Sequence, residues 1–150
     1  MRVFNGLDEV EKVVGEHLGY SDWLEITQER VNLFAEATGD HQWIHVDPEK
    51  AASGPYGTTI AHGYLTLSLL PVLGAKIFRL DGVKMKVNYG SNKVRYPAPV
   101  PVGSKVRAGA EFKTFDRTAK GANLVVGYTV EIEGSDRPAL VAETVVVLVP

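Results

Sequence analysis

The segment TGDHQWIHVDP, residues 38 to 48, brings together an aspartate and two histidines, Asp40, His41 and His45. A carboxylate only accepts hydrogen bonds, whereas an imidazole both donates and accepts them near neutral pH. Asp40 and His45 can therefore hold one water molecule between them and move its protons, if the intervening loop lets the side chains converge. This pair predicts acid–base chemistry on a bound water.

Two other interpretations of the segment stay open at this point. Asp40 can cap a turn while His45 is an interior histidine whose ring is satisfied by its neighbours. A zinc or iron site is the second alternative. It would draw on five side chains: Asp40, His41, His45, Asp47 and His62. The i, i+4 spacing of the first two histidines needs a helix, which a nearby glycine and proline disfavour, so we expect no metal.

An amphipathic helix is expected directly before the segment with Asp40 and His45. Thr27 is a plausible N-cap, and QERVNLFAEAT has helical spacing of its core-facing residues. Those residues are Val31, Phe34, Ala35 and Thr38. Gly39 is the expected C-terminal stop. The order Asp47, Pro48, acid predicts a second short helix that runs to about residue 52.

A long apolar stretch, TTIAHGYLTLSLLPVLGAKIF, follows at residues 58 to 78. Its apolar residues occupy most of a helix circumference, which predicts a helix enclosed by protein. Glycine costs roughly 0.5–1 kcal/mol relative to alanine inside a helix. Gly63 therefore indicates either close packing of another element or a ligand carbonyl that approaches a backbone N–H. His62 taken alone is typical of a core histidine.

The rest of the chain has the two-residue period of β-strands, at residues 83 to 89, 106 to 112 and 124 to 132. LVAETVVVLV is apolar on both faces and predicts a deeply placed strand. DRTAKG and EGSDRP predict hairpins, and the proline-rich residues 96 to 103 predict an extended connection or sheet edge. With a helix expected at 7 to 18 and a short strand at 23 to 27, the layout is α+β. We expect a four-stranded antiparallel meander that curls around the helix of residues 58 to 78.

Bulk composition narrows the function classes. A chain of 150 residues, 45% hydrophobic, has the size of one domain, so residues 1 to 150 are expected to form one. The net charge of -2 favours neither nucleic acid nor an anionic membrane as partner. The absence of cysteine excludes thiolate nucleophiles, disulfides and zinc–thiolate clusters. With no signal-peptide core and no uninterrupted apolar span, we expect a cytoplasmic protein.

The segment FAEATGDHQWIHVDPEKAASGPYGTTIAHGYLTLSLL resembles the signature of the MaoC-like dehydratases, also called R-specific enoyl-CoA hydratases. KVRYPAPVPVGSKVRA is similar to the family as well, and the chain looks closest to its short single-domain actinobacterial 3-hydroxyacyl-thioester dehydratases. The resemblance implies a single hotdog fold, in which an antiparallel sheet wraps around a long central helix. It also implies reversible hydration of trans-2-enoyl thioesters to (R)-3-hydroxyacyl thioesters.

The resemblance assigns roles to individual residues. The catalytic aspartate, the catalytic histidine and the glycine whose N–H polarises the thioester carbonyl fall on Asp40, His45 and Gly63. Gln42 and His62 lie beside them and are candidates for substrate binding. The family's usual Asn-Pro is Gln42-Trp43 here, which leaves the catalytic pair intact and affects the shape of the acyl pocket.

The implied substrate is an acyl-CoA or an acyl carrier protein thioester. Asn88, Lys93 and Arg95 are the candidates for contacts with its coenzyme A or phosphopantetheine arm. The reaction needs no metal, nicotinamide or flavin, and no motif for one is present. A lone hotdog leaves a sheet edge uncovered, so a homodimer with joined sheets is expected. A thioesterase on the same fold and a non-catalytic acyl-thioester-binding subunit are the alternative functions.

Overall fold

The computed structural model describes residues 1 to 150 as six helices and eight strands. The helices are α1 (Leu7–Lys12), α2 (Gln28–Thr38), α3 (Trp43–Val46), α4 (Pro48–Ala52), α5 (Gly63–Ser68) and α6 (Leu70–Gly74). The strands are β1 (Arg2–Asn5), β2 (His17–Tyr20), β3 (Leu24–Glu25), β4 (Phe78–Asp81), β5 (Met85–Arg95), β6 (Lys105–Thr118), β7 (Gly121–Ile132) and β8 (Leu140–Val149). No helix combines the length and apolar character that crossing a membrane requires.

The main sheet is antiparallel, with strand order β2, β6, β7, β8, β5, and β3 also pairs with β6. The predicted hairpins β6–β7 and β7–β8 are confirmed. The predicted four-strand meander is wrong, because β5 pairs with β8 rather than with the next strand along the chain. Residues 96 to 103 connect β5 to β6 as the expected extended segment, and an isolated bridge joins Pro101 to Ile60 in the segment before α5. Prolines supply no N–H for a ladder, so this connection does not add a strand.

Helices α5 and α6 pack against the apolar face of the sheet and give the hotdog arrangement. One cluster of 26 buried apolar residues joins them to the inward side chains of β6, β7 and β8. In β6 and β7 the alternation is as predicted: Val106, Ala108, Ala110, Phe112, Leu124, Val126, Tyr128, Val130 and Ile132 are buried. The sheet wrapped around α5 and α6 therefore confirms the α+β hotdog fold expected from the sequence.

The central helix is shorter than the predicted residues 58 to 78. Residues before Gly63 are extended, and the Ala61 N–H donates to the Val100 carbonyl instead of to a helical turn. The helical pattern is interrupted at Leu69, because Pro71 has no N–H for the carbonyl of Leu67.

Two groups of apolar side chains that were predicted to be buried are exposed in the single chain. Tyr64 is 72% and Val72 49% exposed on the outer side of α5 and α6. Met85, Val87 and Tyr89 are exposed along β5. The sheet covers only one side of the helices, and β5 is an edge strand with a single neighbour. The predicted burial of alternate residues at 83 to 89 is therefore wrong for the isolated chain.

Three predictions of where helices begin and end are confirmed. The Thr27 hydroxyl accepts from the Arg30 N–H at the start of α2, and Gly39 ends that helix with φ 81°. Asp47 caps α4 by accepting from the Lys50 N–H.

Three local predictions fail. The helix expected at residues 7 to 18 ends at Lys12, since Gly15 has φ 90° and the chain then enters β2. Thr38 is exposed, and its hydroxyl donates to the Phe34 carbonyl instead of packing inward. The single turn α3 lies where a loop was expected.

Candidate active site

His45 is held in one orientation by the segment that precedes α5. The residue is only 7% exposed, and its Nδ1 lies 2.7 Å from the carbonyl oxygen of Ile60. A carbonyl only accepts, so Nδ1 carries the proton and Nε2 of the neutral ring is left as the acceptor. The Ile60 N–H donates to the Ile44 carbonyl at 3.0 Å, so the backbone of α3 is hydrogen-bonded to the backbone of the segment before α5.

Gln28 at the start of α2 fixes the backbone of His45. Its Nε2 donates to the His45 carbonyl at 2.8 Å and to Asn32 Oδ1 at 2.9 Å. Its Oε1 accepts from the buried hydroxyl of Thr59 at 2.7 Å. One amide thus joins α2, α3 and the segment before α5. Sequence reasoning missed Gln28 and Thr59, because nothing in their local pattern distinguishes them from an ordinary first helical turn and a loop threonine.

Asp40 lies in the exposed loop that follows α2. One carboxylate oxygen accepts from the Gln42 N–H at 3.3 Å, so the expected turn cap is present. A carboxylate oxygen of Asp40 and one ring nitrogen each of His45 and His62 lie within 4.8 Å of one another. A water that makes hydrogen bonds of about 2.8 Å to two groups spans such a separation. The structure therefore brings Asp40 and His45 together, as the sequence predicted.

His62 is the third member of the cluster and is only 2% exposed. Its ring stacks on that of His45, with centroids 3.9 Å apart and planes at 23°, and it also makes a tilted contact with the ring of Phe34 at 4.9 Å. Its Nε2 donates to the main-chain carbonyl of Asp40 at 3.0 Å, and its Nδ1 has no hydrogen-bond partner. His62, which was predicted to bind substrate, thus contacts Asp40, His45 and Phe34 of its own chain.

Burial lowers the pKa of His45 below its ordinary value of 6.5. The hydrogen bond to Ile60 opposes this effect, the neighbouring His62 adds to it, and the negative charge of Asp40 opposes it. Because the net direction is downward, His45 is neutral at pH 7 and its Nε2 can take a proton.

The same three side chains have the composition of a small metal site. Imidazole binds a metal through a lone pair in the plane of its ring, at about 2.0–2.1 Å for zinc. The rings of His45 and His62 are stacked, so their in-plane lone pairs run side by side instead of converging. His41 points elsewhere, with Nε2 3.5 Å from Glu36. Stacking therefore disfavours an ion shared by the two rings.

Gly63 is the first residue of α5, so no carbonyl one turn earlier can accept its N–H. That N–H also makes none of the loop and cap hydrogen bonds. A Cβ at this position would lie 3.1–3.3 Å from three ring carbons of Tyr96. Both reasons for a glycine that the sequence left open are thus present, a free N–H and close packing of another element.

Comparison with known proteins shows the family of the chain. Residues 9–133 match the family described as MaoC like domain. The chain belongs to the MaoC-like dehydratases. It is accordingly an enzyme of the hydro-lyase class.

Individual relatives of this MaoC-like dehydratase agree with the assignment. The chain is 56% identical over 147 residues to 3-hydroxyacyl-thioester dehydratase Z of Mycobacterium tuberculosis, and the match covers 97% of each chain. It is 45% identical to Nodulation protein N of Rhizobium meliloti, over 94% of this chain and 89% of that one. The solved (R)-hydratase from A. caviae involved in PHA biosynthesis superposes with a TM-score of 0.71 at 26% identity, over 87% of this chain and 95% of that one.

The Gln42-Trp43 pair, where this MaoC-like dehydratase departs from the usual Asn-Pro, lies at the start of α3. Trp43 takes the first helical position, which is also a favoured place for proline. Its ring packs closely on Gly54 and lies under the Lys50 ammonium at 4.7 Å. The Gln42 side chain is exposed and caps nothing.

The three residues predicted to contact the thioester arm all lie exposed on β5. Lys93 and Arg95 are two positions apart, so they project from the same face of the strand, and neither forms an ion pair within the chain. Arg95 directly precedes Tyr96, whose ring covers Gly63. Asn88 is about 23 Å from Arg95 along the strand at 3.3 Å per residue, so the two cannot contact one phosphate.

Proposed function

We propose that this enzyme adds water reversibly to trans-2-enoyl thioesters and forms (R)-3-hydroxyacyl thioesters. The observation that carries the proposal is the buried His45, whose Nδ1 is held by the Ile60 carbonyl and one of whose ring nitrogens lies within 4.8 Å of an Asp40 carboxylate oxygen. The names of the M. tuberculosis dehydratase and the A. caviae (R)-hydratase support the same reaction.

The proposed chemistry begins with a water held between Asp40 and His45. His45 Nε2 takes a proton from the water as its oxygen bonds to the β-carbon of the enoyl group. Negative charge then develops on the thioester oxygen, where the Gly63 N–H donates. One such donor is worth about 3–4 kcal/mol in comparable sites. The pair returns the proton to the α-carbon, so the elements of one water are added across the double bond.

The alternative assignments differ in what they consume and release. With crotonyl-CoA, hydration removes the absorbance of the conjugated enoyl group without releasing thiol. A thioesterase releases free thiol, and a binding subunit does neither. Thiol release at the rate of absorbance loss would overturn the proposal, as would no reaction with enoyl thioesters of any chain length on either coenzyme A or acyl carrier protein.

Substitutions in the pair test the residue roles. We expect Asp40→Asn and His45→Gln to lower kcat by about 10²–10⁴, the usual contribution of a positioned acid or base. Asp47→Asn is the matched control, because asparagine caps a helix as well as aspartate does, so α4 and full activity should persist.

The proposed reaction uses no metal or redox cofactor. Protein treated with a strong chelator and then dialysed should retain its full kcat. A loss that zinc or iron restores would favour the cluster of Asp40, His45 and His62 as a metal-dependent hydrolase instead.

For the thioester arm, we propose Lys93 and Arg95 as the phosphate contacts and leave Asn88 to a separate contact further along β5. Lys93→Ala and Arg95→Ala should raise KM for crotonyl-CoA several-fold and have little effect on kcat, since neither touches the reacting atoms. An unchanged KM in the double variant would remove both residues from the binding site.

We also infer a homodimer joined through β5. This edge strand exposes Met85, Val87 and Tyr89, and an unpaired apolar edge of this kind favours pairing with a second copy. Light scattering after size exclusion should give a dimer mass, and Val87→Lys should shift it toward a monomer. Leu33→Lys, on the exposed face of α2, is the control that should stay dimeric.

A further inference from the structure

We propose that His62 is a positioning residue that fixes the two catalytic side chains relative to each other. It donates a hydrogen bond to the backbone of Asp40 and stacks on the ring of His45. The inference rests on the proposed function and deepens it. It replaces the substrate contact that the sequence suggested for His62.

The first contact that carries the inference is the hydrogen bond from His62 Nε2 to the Asp40 carbonyl, 3.0 Å long. Asp40 lies in an exposed loop after α2, and its carboxylate makes only a long turn contact to Gln42. The bond from His62 ties this loop to the residue immediately before α5, and hence to the end of the helix where the Gly63 N–H lies.

The second contact is the stack on His45. With the ring centroids 3.9 Å apart, the His62 ring covers one face of the imidazole, while Ile60 fixes its Nδ1 edge. Phe34 adds a tilted contact to the His62 ring, with centroids 4.9 Å apart, and His62 is only 2% exposed, so the ring is held by its neighbours. A displacement of about 1 Å in such a constellation can cost a hundredfold in rate.

The stack also affects the charge of His45. The ionisable groups that act on this imidazole are Asp40 from the loop after α2 and His62 from the position before α5. The two hydrogen-bond partners of His45, Ile60 at the ring and Gln28 at the main-chain carbonyl, are uncharged. His62 helps to keep the pKa of His45 low, both by excluding water and by its own charge when protonated. A replacement that removes the ring should raise that pKa.

Two substitutions separate the two contacts. His62→Phe keeps a ring on His45 but removes the N–H that holds Asp40. His62→Gln keeps an amide N–H at about the distance of Nε2 but removes the stack. We expect kcat to fall about tenfold to a hundredfold in each, with a smaller change in KM, and the acid limb of the kcat/KM profile to move to higher pH in His62→Gln. His17→Gln is the matched control, since that histidine also contacts a backbone N–H and an aromatic ring, but on β2.

A histidine NMR titration of the substrate-free protein tests the same inference without activity. In the wild type we expect His45 as the Nδ1–H tautomer and His62 as the Nε2–H tautomer, with the His45 midpoint below 6.5. The His45 midpoint should rise in His62→Gln and remain unchanged in His17→Gln. This measurement remains decisive where a variant unfolds, because the tautomers are read from the unmodified chain.

The outcomes that count against the inference are distinct from those that count against the proposed function. Opposite tautomers, or wild-type kcat and an unchanged His45 midpoint in both variants, would overturn it. So would a change confined to KM, which would make His62 a substrate contact. A wild type that hydrates no enoyl thioester would defeat the proposed function, while the NMR result would still decide whether His62 fixes His45.

Discussion

Replacing Gly63 with alanine distinguishes the two reasons for a glycine at the start of α5. If the glycine lets a thioester carbonyl reach the backbone N–H, the added methyl keeps the substrate away. If the glycine only makes room for Tyr96, the methyl pushes on that ring and the catalytic machinery is otherwise unaffected. The two reasons predict different sizes of effect on stability and on rate.

The effect on stability follows from the contact distances. The new Cβ would lie 3.1–3.3 Å from ring carbons of Tyr96, whereas carbon atoms prefer separations of about 3.5–4.0 Å. The ring is 43% exposed and can retreat by a few tenths of an ångström, at a cost of about 1 kcal/mol. Alanine in a helix gains roughly 0.5–1 kcal/mol over glycine. We therefore expect the free energy of unfolding to change by no more than about 1 kcal/mol.

The effect on rate should be much larger if Gly63 N–H stabilises the enolate. Loss of one such donor lowers kcat by about 10²–10³, or 2.7–4 kcal/mol of transition-state stabilisation. The assay is kcat and kcat/KM on crotonyl-CoA together with urea unfolding, for Gly63→Ala, Tyr96→Ala and the double variant. In the double variant the methyl has room, so stability should recover while the rate stays low.

A rate restored in the double variant to that of Tyr96→Ala would mean that the glycine serves packing alone. A Gly63→Ala enzyme within twofold of the wild type would likewise refute the role of its N–H in catalysis.

Three further predictions concern the surroundings of the site. Gln28→Leu deprives the Thr59 hydroxyl of its acceptor and should lower the free energy of unfolding in urea by about 1–3 kcal/mol. Gly74→Ala places a Cβ 2.7 Å from the hydroxyl of buried Tyr128, so we expect a loss of about 1–3 kcal/mol, which Tyr128→Phe in the same chain should relieve. The pKa of His45 is lowered in the folded chain, so the unfolded chain binds more protons at acid pH. The contribution of the neutral His45 to the free energy of unfolding is therefore fully present above pH 6.5 and is lost as the pH falls through the folded pKa. His45→Gln should therefore flatten the dependence of Tm on pH below 6.5, and an unchanged slope would contradict this assignment.

The sequence by itself determined the parts of this protein that depend on neighbours along the chain. The Thr27 cap, the stop at Gly39 and the Asp47 cap follow from local backbone geometry and side-chain hydrogen bonds. The alternation in β6 and β7 follows from the two-residue period of a strand with one buried face. The motif around Asp40 and His45 likewise predicted which side chains meet, because the two residues are close together in the sequence.

Only the tertiary structure decided what depends on distant partners. The place of β5 beside β8 is set by pairing between segments about 50 residues apart, which no local period encodes, and it leaves the apolar side chains of β5 exposed. The stack of His62 on His45 and the Gln28 amide between α2, α3 and Thr59 arise in the same way. Hydrogen bonds and ring contacts between separate segments form only once the core has brought their backbones together, so the precision of the site is a property of the fold.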